Sequence, residues 1–511
     1  MQYFFKTWKQ DLPAGLVVFL VAVPLCLGIA LASEAPVFSG LIAGMVGGII
    51  VGLFSGSSIG VSGPAAGLAA IVATALHDLS AIGENPFQIF LSAVVLAGLI
   101  QIILGLIRLG IISSFFPNSV IKGMLSAIGL LILFKQIPHA VGYDADFEGD
   151  ETFFQSDGHN TFSEIIYSLN YISIAAVVIF IISISLLLLW DSKRIQATVL
   201  RFIPGPLLVV IIGILLTMGF EGSEFALSLD HRVNIGISGK SLTQLVTLPD
   251  FSHILDSKVI IIAVTIAIVA SVETLLSVDA ADKLDPLKRV TNGNWELFAQ
   301  GIGNMVSGFI GGLPITQVVV RTSANVNAGG MTKLATIIHG VLIAISCLTI
   351  PMVFSYVSFA SLAAILVLVG YKLAKPSMFK AVYKTSKKEF FIFVITIIAI
   401  LFSDLLKGIM IGMFFSFLII FLNGNKINRQ NFFKKAYRIK RNTSGIELFF
   451  HENVTFLSKA AIQKVLTKIK SNTVFTINKS QTRYFSADIN ELIVDFQKKA
   501  NERQIKLIII D

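Results

Sequence analysis

The chain is so apolar that its chemistry is best sought where polar residues interrupt apolar sequence. The run from Gly311 to Asn325 is such a place, with Pro314, Thr316, Gln317 and Arg321 set between long apolar stretches. Pro314 lacks an N–H and suits the first turn of a helix, not its middle. Gly311 and Gly312 allow a sharp reversal before it. The pattern predicts a broken span deep in the bilayer: extended chain, then a helix starting near Ile315. The leading N–H groups of that helix have no acceptor within it, and with the helix dipole they favour an anion. Arg321 adds a full positive charge about two turns in. An arginine at mid-membrane costs about 2.5–3.5 kcal/mol on insertion scales, so it needs a cavity, a partner or an anion. It either stabilises a bound oxyanion or pairs with Glu273 to hold the core, and the two roles are compatible.

Ile59 to Gly67, with Ser62, Gly63 and Pro64, repeats the order of Gly, Pro and short apolar helix far upstream. Two interrupted segments in corresponding positions of two halves point to a transporter binding site. Ala65, Ala66 and Gly67 at the first, and Gln317, Val318 and Val319 at the second, are the candidate N–H donors to an anion. Their small or apolar side chains leave room for a compact ion, although Ala65 to Gly67 also read as a surface for close helix packing. Glu273 lies inside an apolar span, with Ser277 one turn later on the same face. Hard cations take oxygen ligands, so the pair suits sodium. A carboxyl whose pKa is raised by burial would carry a proton instead, and a purely structural carboxylate is the third reading. The histidines, His77, His139, His159, His231, His253, His339 and His451, show no ligand spacing and read as loop or helix-end residues. Cys26 and Cys347 fall inside apolar spans, so neither a disulfide nor a zinc site is expected. No catalytic constellation of an enzyme is present.

The elements that must hold these residues are helices. Of 511 residues, 54% are hydrophobic and 14% charged. Windows of about 20 apolar residues recur, the length of a spanning helix. The net charge of +9 sits in loops and in the C-terminal part. There it sets topology and does not make a nucleic-acid surface. Residues 1–11, with Tyr3, Phe4, Phe5 and Trp8 among lysines, read as an interfacial segment. Spans are expected at about 12–31, 38–54, 64–76, 88–108, 119–136, 170–190 and 203–219. A second set follows at about 258–280, 294–311, 315–326, 332–354, 357–374, 389–404 and 408–423. The fold class is thus an all-α polytopic membrane domain of fourteen spans, seven plus seven, with the broken half-helix third in each set. An odd number of spans per repeat inverts the second repeat, so the two broken helices point at each other near the bilayer midplane.

The transporter domain is 12–423, with repeats at about 12–219 and 257–423, followed by a basic linker at 424–442 and a small α/β module at 443–511. The basic N-terminal tail and the basic segments 191–202, 282–289 and 372–388 are expected in the cytoplasm, and the acidic loop 138–166 outside. Both termini are then cytoplasmic, in a cell (inner) membrane protein.

Asp11 to Gly15 with Pro24, Ser62 to Pro64, and Gly311 to Pro314 with Arg321 and Thr322 together resemble the first, third and tenth helices of the SulP sulfate-permease family of anion transporters. The likeness covers nearly the whole chain, and the module at its end resembles the STAS domain that follows in that family. The resemblance implies an inverted repeat, a core domain moving against a gate domain, and a homodimer. Ser271 to Ser277 is similar to the eighth-helix motif of sodium-dependent bicarbonate transporters, which implies a sodium site using Glu273 and Ser277. The run Glu273 to Arg289 looks like a bacterial branch associated with carbonic anhydrase. The module departs from the family by stopping at Asp511, so that it looks abbreviated. In it Phe485 to Asp488 replaces the usual Asp-Ser loop, which argues against a phosphate switch there.

The expected function is secondary active transport of a small inorganic anion, bicarbonate or sulfate, by sodium symport and alternating access. No cofactor is expected beyond the coupling ion. The alternatives are proton-coupled uptake of sulfate or a dicarboxylate, and an uncoupled anion exchanger or channel. Arg321 and the STAS-like module disfavour a nucleobase permease of similar architecture.

Overall fold

The computed structural model describes residues 4–82, 84–145, 153, 160–192, 195, 197–198, 204–233, 246–349, 355–422, 436–442, 445–469, 473–482, 484–502 and 504–510. They form two compact units. The first contains residues 1–110, 125–375 and 400–406; the second contains 111–124, 376–399 and 407–511.

The first unit opens with α1 (Phe4–Ala32), which keeps Pro13 and Pro24 inside it. Residues 4–11, expected as a separate interfacial segment, are the start of this helix. Helix α2 (Val37–Phe54) contains a π-helical stretch at Gly47–Val51. Next come β1 (Ser62–Pro64), α3 (Ala66–Leu79), α4 (Pro86–Leu106), α5 (Asn118–Val141, of which the first unit holds the part from Leu125), α6 (Thr161–Ser168), α7 (Ile174–Trp190) and α8 (Gly205–Gly219). The remainder comprises α9 (Ser257–Leu284), α10 (Gly293–Phe309), β2 (Ile315–Gln317), α11 (Val319–Asn327), α12 (Lys333–Thr349) and α13 (Phe359–Leu373). These helices bury apolar side chains such as Ile42, Val72, Phe90, Val94, Ala263, Ile266 and Leu313 in one shared core.

The broken segments differ from expectation in one respect. Helix α11 starts at Val319 and not near Ile315, and α3 starts at Ala66 and not at Pro64. The reason is a tertiary contact. Strands β1 and β2 pair antiparallel, with Ser62 opposite Gln317, Gly63 opposite Thr316 and Pro64 opposite Ile315. Pro64 and Pro314 therefore lie in extended chain ahead of each helix. Gly311 makes the predicted reversal, with φ +91°.

The second unit carries α14 (Pro376–Thr385), α15 (Lys387–Leu401), α16 (Leu405–Leu422) and the C-terminal module. In the module, β3 (Tyr437–Asn442), β4 (Gly445–Phe450), β6 (Val474–Asn478) and β8 (Lys506–Ile510) form a sheet in the order β3-β4-β6-β8. The β4–β6 and β6–β8 pairs are parallel. Such pairs need crossovers, and α17 (Lys459–Lys468) and α18 (Ala487–Glu502) supply them. Strands β5 (Asn453–Val454) and β7 (Tyr484–Phe485) make a small parallel ribbon. The module core gathers Leu448, Phe450, Ile462, Phe475, Ile477, Ile489 and Ile493.

Strand β3 corrects the basic linker predicted over 424–442. Residues 437–442 pair antiparallel with 445–450. Their lysine and arginines occupy a sheet edge, where charge discourages further pairing. Residues 424–435 of that linker lie outside the described residues. Among the described residues, six helices are long and apolar enough to cross a membrane by length and composition, Pro86–Leu106 and Ser257–Leu284 being two of them.

Candidate functional site

The site is built where β1 and β2 cross. Each strand feeds directly into a short helix. Neither α3 nor α11 has a side chain capping its N-terminus. A helix end without caps leaves backbone N–H groups that want an acceptor. At α3, Ala65 is the N-cap residue, with φ −117° and ψ 133°, and its carbonyl accepts from Leu68 N at 3.1 Å. The Ala66 and Gly67 amides belong to the first turn, whose N–H groups have no acceptor within the helix. Gly67 is exposed and Ala66 half-buried.

At α11 the expected donors are redistributed. Val318 N donates to Val61 O at 2.9 Å, and Gln317 N donates to Thr274 Oγ1 at 3.4 Å. Both amides are committed within the protein, which corrects their reading as anion donors. The open end of α11 belongs to Val319 and to Val320, which the sequence reading did not include.

Arg321 is fully buried at 0% exposure. Its Nε, Nη1 and Nη2 make no hydrogen bond of ordinary distance and angle among the described residues, although the buried thiol of Cys26 on α1 lies close enough to interact with it, a weak partner for a full charge. The guanidinium lies against β1: a Cβ on Gly63 would come within 2.1 Å of Nη1. No hydrogen bond joins it to Glu273. Glu273 is also buried, and its carboxylate lies against the first turn of α3, 3.3 Å from where a Gly67 Cβ would be. Gly67 thus serves a close approach as well as offering its N–H. Ser277, one turn on, is buried, and its carbonyl accepts from Gln317 Nε2 at 3.4 Å. Helix α9 therefore touches α3 through Glu273 and β2 through Thr274 and Ser277.

Residues 8–396 match the sulfate permease family. The chain belongs to this family. YvdB of Bacillus subtilis (strain 168), provisionally named a sulfate transporter, is 26% identical over 99% of this chain and 92% of its own length. The bicarbonate transporter BicA of Picosynechococcus sp. is 23% identical over 80% of this chain and 69% of its own. The solved transmembrane domain of a cyanobacterial BicA superposes with a TM-score of 0.54 at 22% identity, covering 81% of this chain and 98% of that one. A murine SLC26A9 structure gives 0.57 at 17% identity, covering 98% and 85%. These likenesses carry the fold. The relatives of this family member are transporters and not enzymes, and the chain is a multi-pass membrane protein.

Sequence reasoning missed the side chains that hold the crossing in place. In this family member α10 presents one buried polar stripe: Glu296, Gln300, Asn304 and Ser307. Glu296 Oε2 accepts from Ser55 Oγ (2.7 Å), Gly56 N (2.7 Å) and Ser57 N (3.3 Å), fixing the chain ahead of β1. Gln300 Nε2 donates to Ser62 Oγ at 2.7 Å, and Ser307 Oγ donates to Leu313 O at 2.7 Å. The signal was present: polar residues at i, i+4, i+8 and i+11 in an apolar span share one helix face.

One histidine departs from its expected place, whereas His77 and His139 lie in the last turns of α3 and α5 as expected. His339 is buried in the middle of α12, not at a helix end. His139 and His231 share one carboxylate: His139 Nδ1 lies 2.5 Å from Asp144 Oδ1, and His231 Nδ1 lies 2.6 Å from Oδ2. Asp144 and His231 line a cavity of about 720 Å³ with Pro24, Tyr143, Tyr171 and Arg232.

Proposed function

We propose that this sulfate permease family member is a secondary active transporter of small inorganic anions, bicarbonate or sulfate, working by alternating access. One observation carries the reading: a fully buried arginine, whose guanidinium finds no hydrogen-bond partner among the described residues, sits in the first turn of one uncapped helix and against β1, the strand that leads into the other. An unpaired charge taken out of water is strongly unfavourable, and an oxyanion is the ligand that relieves it. The open N–H groups of Ala66, Gly67, Val319 and Val320 would receive its oxygens, and Arg321 would stabilise its charge. The names of the relatives, bicarbonate for BicA and sulfate for YvdB, support this substrate class.

Glu273 and Ser277 are the proposed sodium ligands, with Thr274 beside them. Sodium there would neutralise the carboxylate and add positive charge near the anion, so each ion would favour the other. The burial of Glu273 favours a second reading, in which it carries a proton and the transporter takes up sulfate or a dicarboxylate. An exchanger or channel would need no coupling residue.

The accompanying architecture is fourteen spans in two inverted repeats, both termini in the cytoplasm, a STAS-like module, and a homodimer in the inner membrane. Functional association with carbonic anhydrase would fit a bicarbonate substrate.

The deciding experiment is uptake of labelled bicarbonate and labelled sulfate into proteoliposomes, with and without an inward sodium gradient. Sodium-driven uptake that Glu273→Gln abolishes supports symport. Uptake driven by a proton gradient and indifferent to sodium makes Glu273 a proton carrier. Uncoupled flux that survives Glu273→Gln would point to an exchanger or channel.

A further inference from the structure

A two-stranded ribbon leaves an unpaired edge on each strand. Inside a membrane each unsatisfied backbone group costs several kcal/mol. The outer edge of β2 is met at Ile315 by a single side chain. Asn304 Oδ1 accepts from Ile315 N at 2.6 Å, and Asn304 Nδ2 donates to Ile315 O at 3.0 Å. These are the two bonds that a residue of a neighbouring antiparallel strand would exchange. A side-chain amide offers a donor and an acceptor in that arrangement, whereas an ionised carboxylate offers acceptors alone.

Asn304 is fully buried. Its Nδ2 also donates to Gln101 Oε1 at 2.7 Å, and Gln101 Nε2 donates to Ser271 Oγ at 3.3 Å. Ser271 stands two residues before Glu273 on α9, and Ile315 four residues before Val319, where α11 begins. We propose that Asn304 is a positioning residue for the anion site. Its amide takes the place of a third strand, sets where α11 and Arg321 begin, and ties that edge through Gln101 to the helix that carries Glu273. The kinetic consequence rests on the transport reading; the structural consequence does not.

Aspartate in its place keeps the acceptor for Ile315 N and loses both donor bonds; alanine loses everything. The test uses Asn304→Asp and Asn304→Ala in the full chain, with Asn304→Asp, nearly isosteric, deciding where Asn304→Ala fails to fold. Amide hydrogen exchange across residues 313–319 is read by mass spectrometry, alongside KM and Vmax for sulfate and bicarbonate uptake. The expected result is faster exchange in that segment and an apparent KM raised about tenfold, equivalent to ~1.4 kcal/mol, with Vmax within about twofold. Unchanged exchange overturns the proposal. So does a lowered Vmax at unchanged KM, the mark of a residue that only supports folding. If the wild type takes up neither ion, the transport reading fails, and exchange alone still decides the role of Asn304.

Discussion

The first broken segment ends in an open helix. Gly67 is exposed, Ala66 is half-buried, and the nearest charge is the Glu273 carboxylate. The second ends in a closed one. Val319 and Val320 are 5% and 6% exposed, Arg321 is 0% exposed, and α11 runs only from Val319 to Asn327. The two segments share an order of residues and divide the work. On the proposed reading, the α3 side admits an ion, with the Glu273 carboxylate beside it. The α11 side holds a fixed positive charge behind one layer of backbone, at Gly63. A buried charge in a low-dielectric surrounding acts more strongly than one in water, so the closed half sets the field and the open half sets the access.

Removing the charge should break the comparison most severely. Arg321→Gln keeps size and hydrogen-bonding groups but leaves both helix ends as mere dipoles. Uptake measured as Vmax/KM should fall about 100-fold, the scale seen when one preorganised charge-stabilising donor is lost. Arg321→Lys should recover part of it, because the charge returns without the planar fork. Full activity in Arg321→Gln would show that the helix ends alone carry the anion.

The next pair of variants sharpens the same contrast with a single methyl group. A Cβ on Gly63 would stand 2.1 Å from Arg321 Nη1. The guanidinium is the end of a flexible side chain, so Gly63→Ala should fold and displace the charge. Apparent KM should rise about tenfold while Tm stays within a few degrees. A Cβ on Gly67 would stand 3.3 Å from the Glu273 oxygens, a tight contact that a small shift relieves. Gly67→Ala should change KM by less than about threefold, and its helix propensity offsets the crowding by up to ~1 kcal/mol. What change it makes should appear in the sodium dependence. Equal effects of the two substitutions, measured as uptake kinetics, would erase the division between the halves.

Much of this was legible in the sequence and some was not, for physical reasons. Proline and glycine mark backbone breaks locally, so both interruptions could be read at Pro64 and Pro314. An arginine in an apolar run is costly wherever it lies, so Arg321 could be singled out. The pairing of Ser62–Pro64 with Ile315–Gln317 joins segments some 250 residues apart, and no local pattern announces it. The crossing took up the Val318 amide through Val61 O and moved the start of α11 to Val319, while Thr274 on α9 took up the Gln317 amide. Strand β3 was hidden because an edge strand rich in Lys and Arg looks like a solvated linker. Glu296, Gln300 and Asn304 were visible as a spaced polar stripe, but their partners lie on other segments. The partnership of His139 and His231 depends on Asp144, which is 87 residues from His231.

That last cluster offers the mildest test. Burial pushes the Asp144 carboxyl up, but hydrogen bonds from His139 and His231 hold it below its ordinary value of 3.8. The bond to Asp144 lifts His231 above 6.5, against burial and with help from the Asp144 and Asp230 charges. The charged groups nearby are Asp230 and Arg232, with Glu221 paired to Arg232 at 3.2 Å. The raised His231 stabilises the fold fully below its unfolded pKa, and that contribution is lost as pH rises through the folded value. The lowered Asp144 does the reverse: its contribution is present above its unfolded pKa and is lost as pH falls through the folded one. The cluster is therefore strongest in mildly acidic solution and weakens toward alkaline pH. His231→Gln keeps a donor for Asp144 and removes the titration. The wild type should lose on the order of 1 °C in Tm between mildly acidic and alkaline pH beyond any loss in the variant. The variant should meanwhile keep the KM of the wild type, because the crossing of β1 and β2 does not depend on this carboxylate. A KM that follows the His231 titration would mean that the outlying cavity and the broken segments act as one site, and the contrast between open and closed halves would have to include a third element.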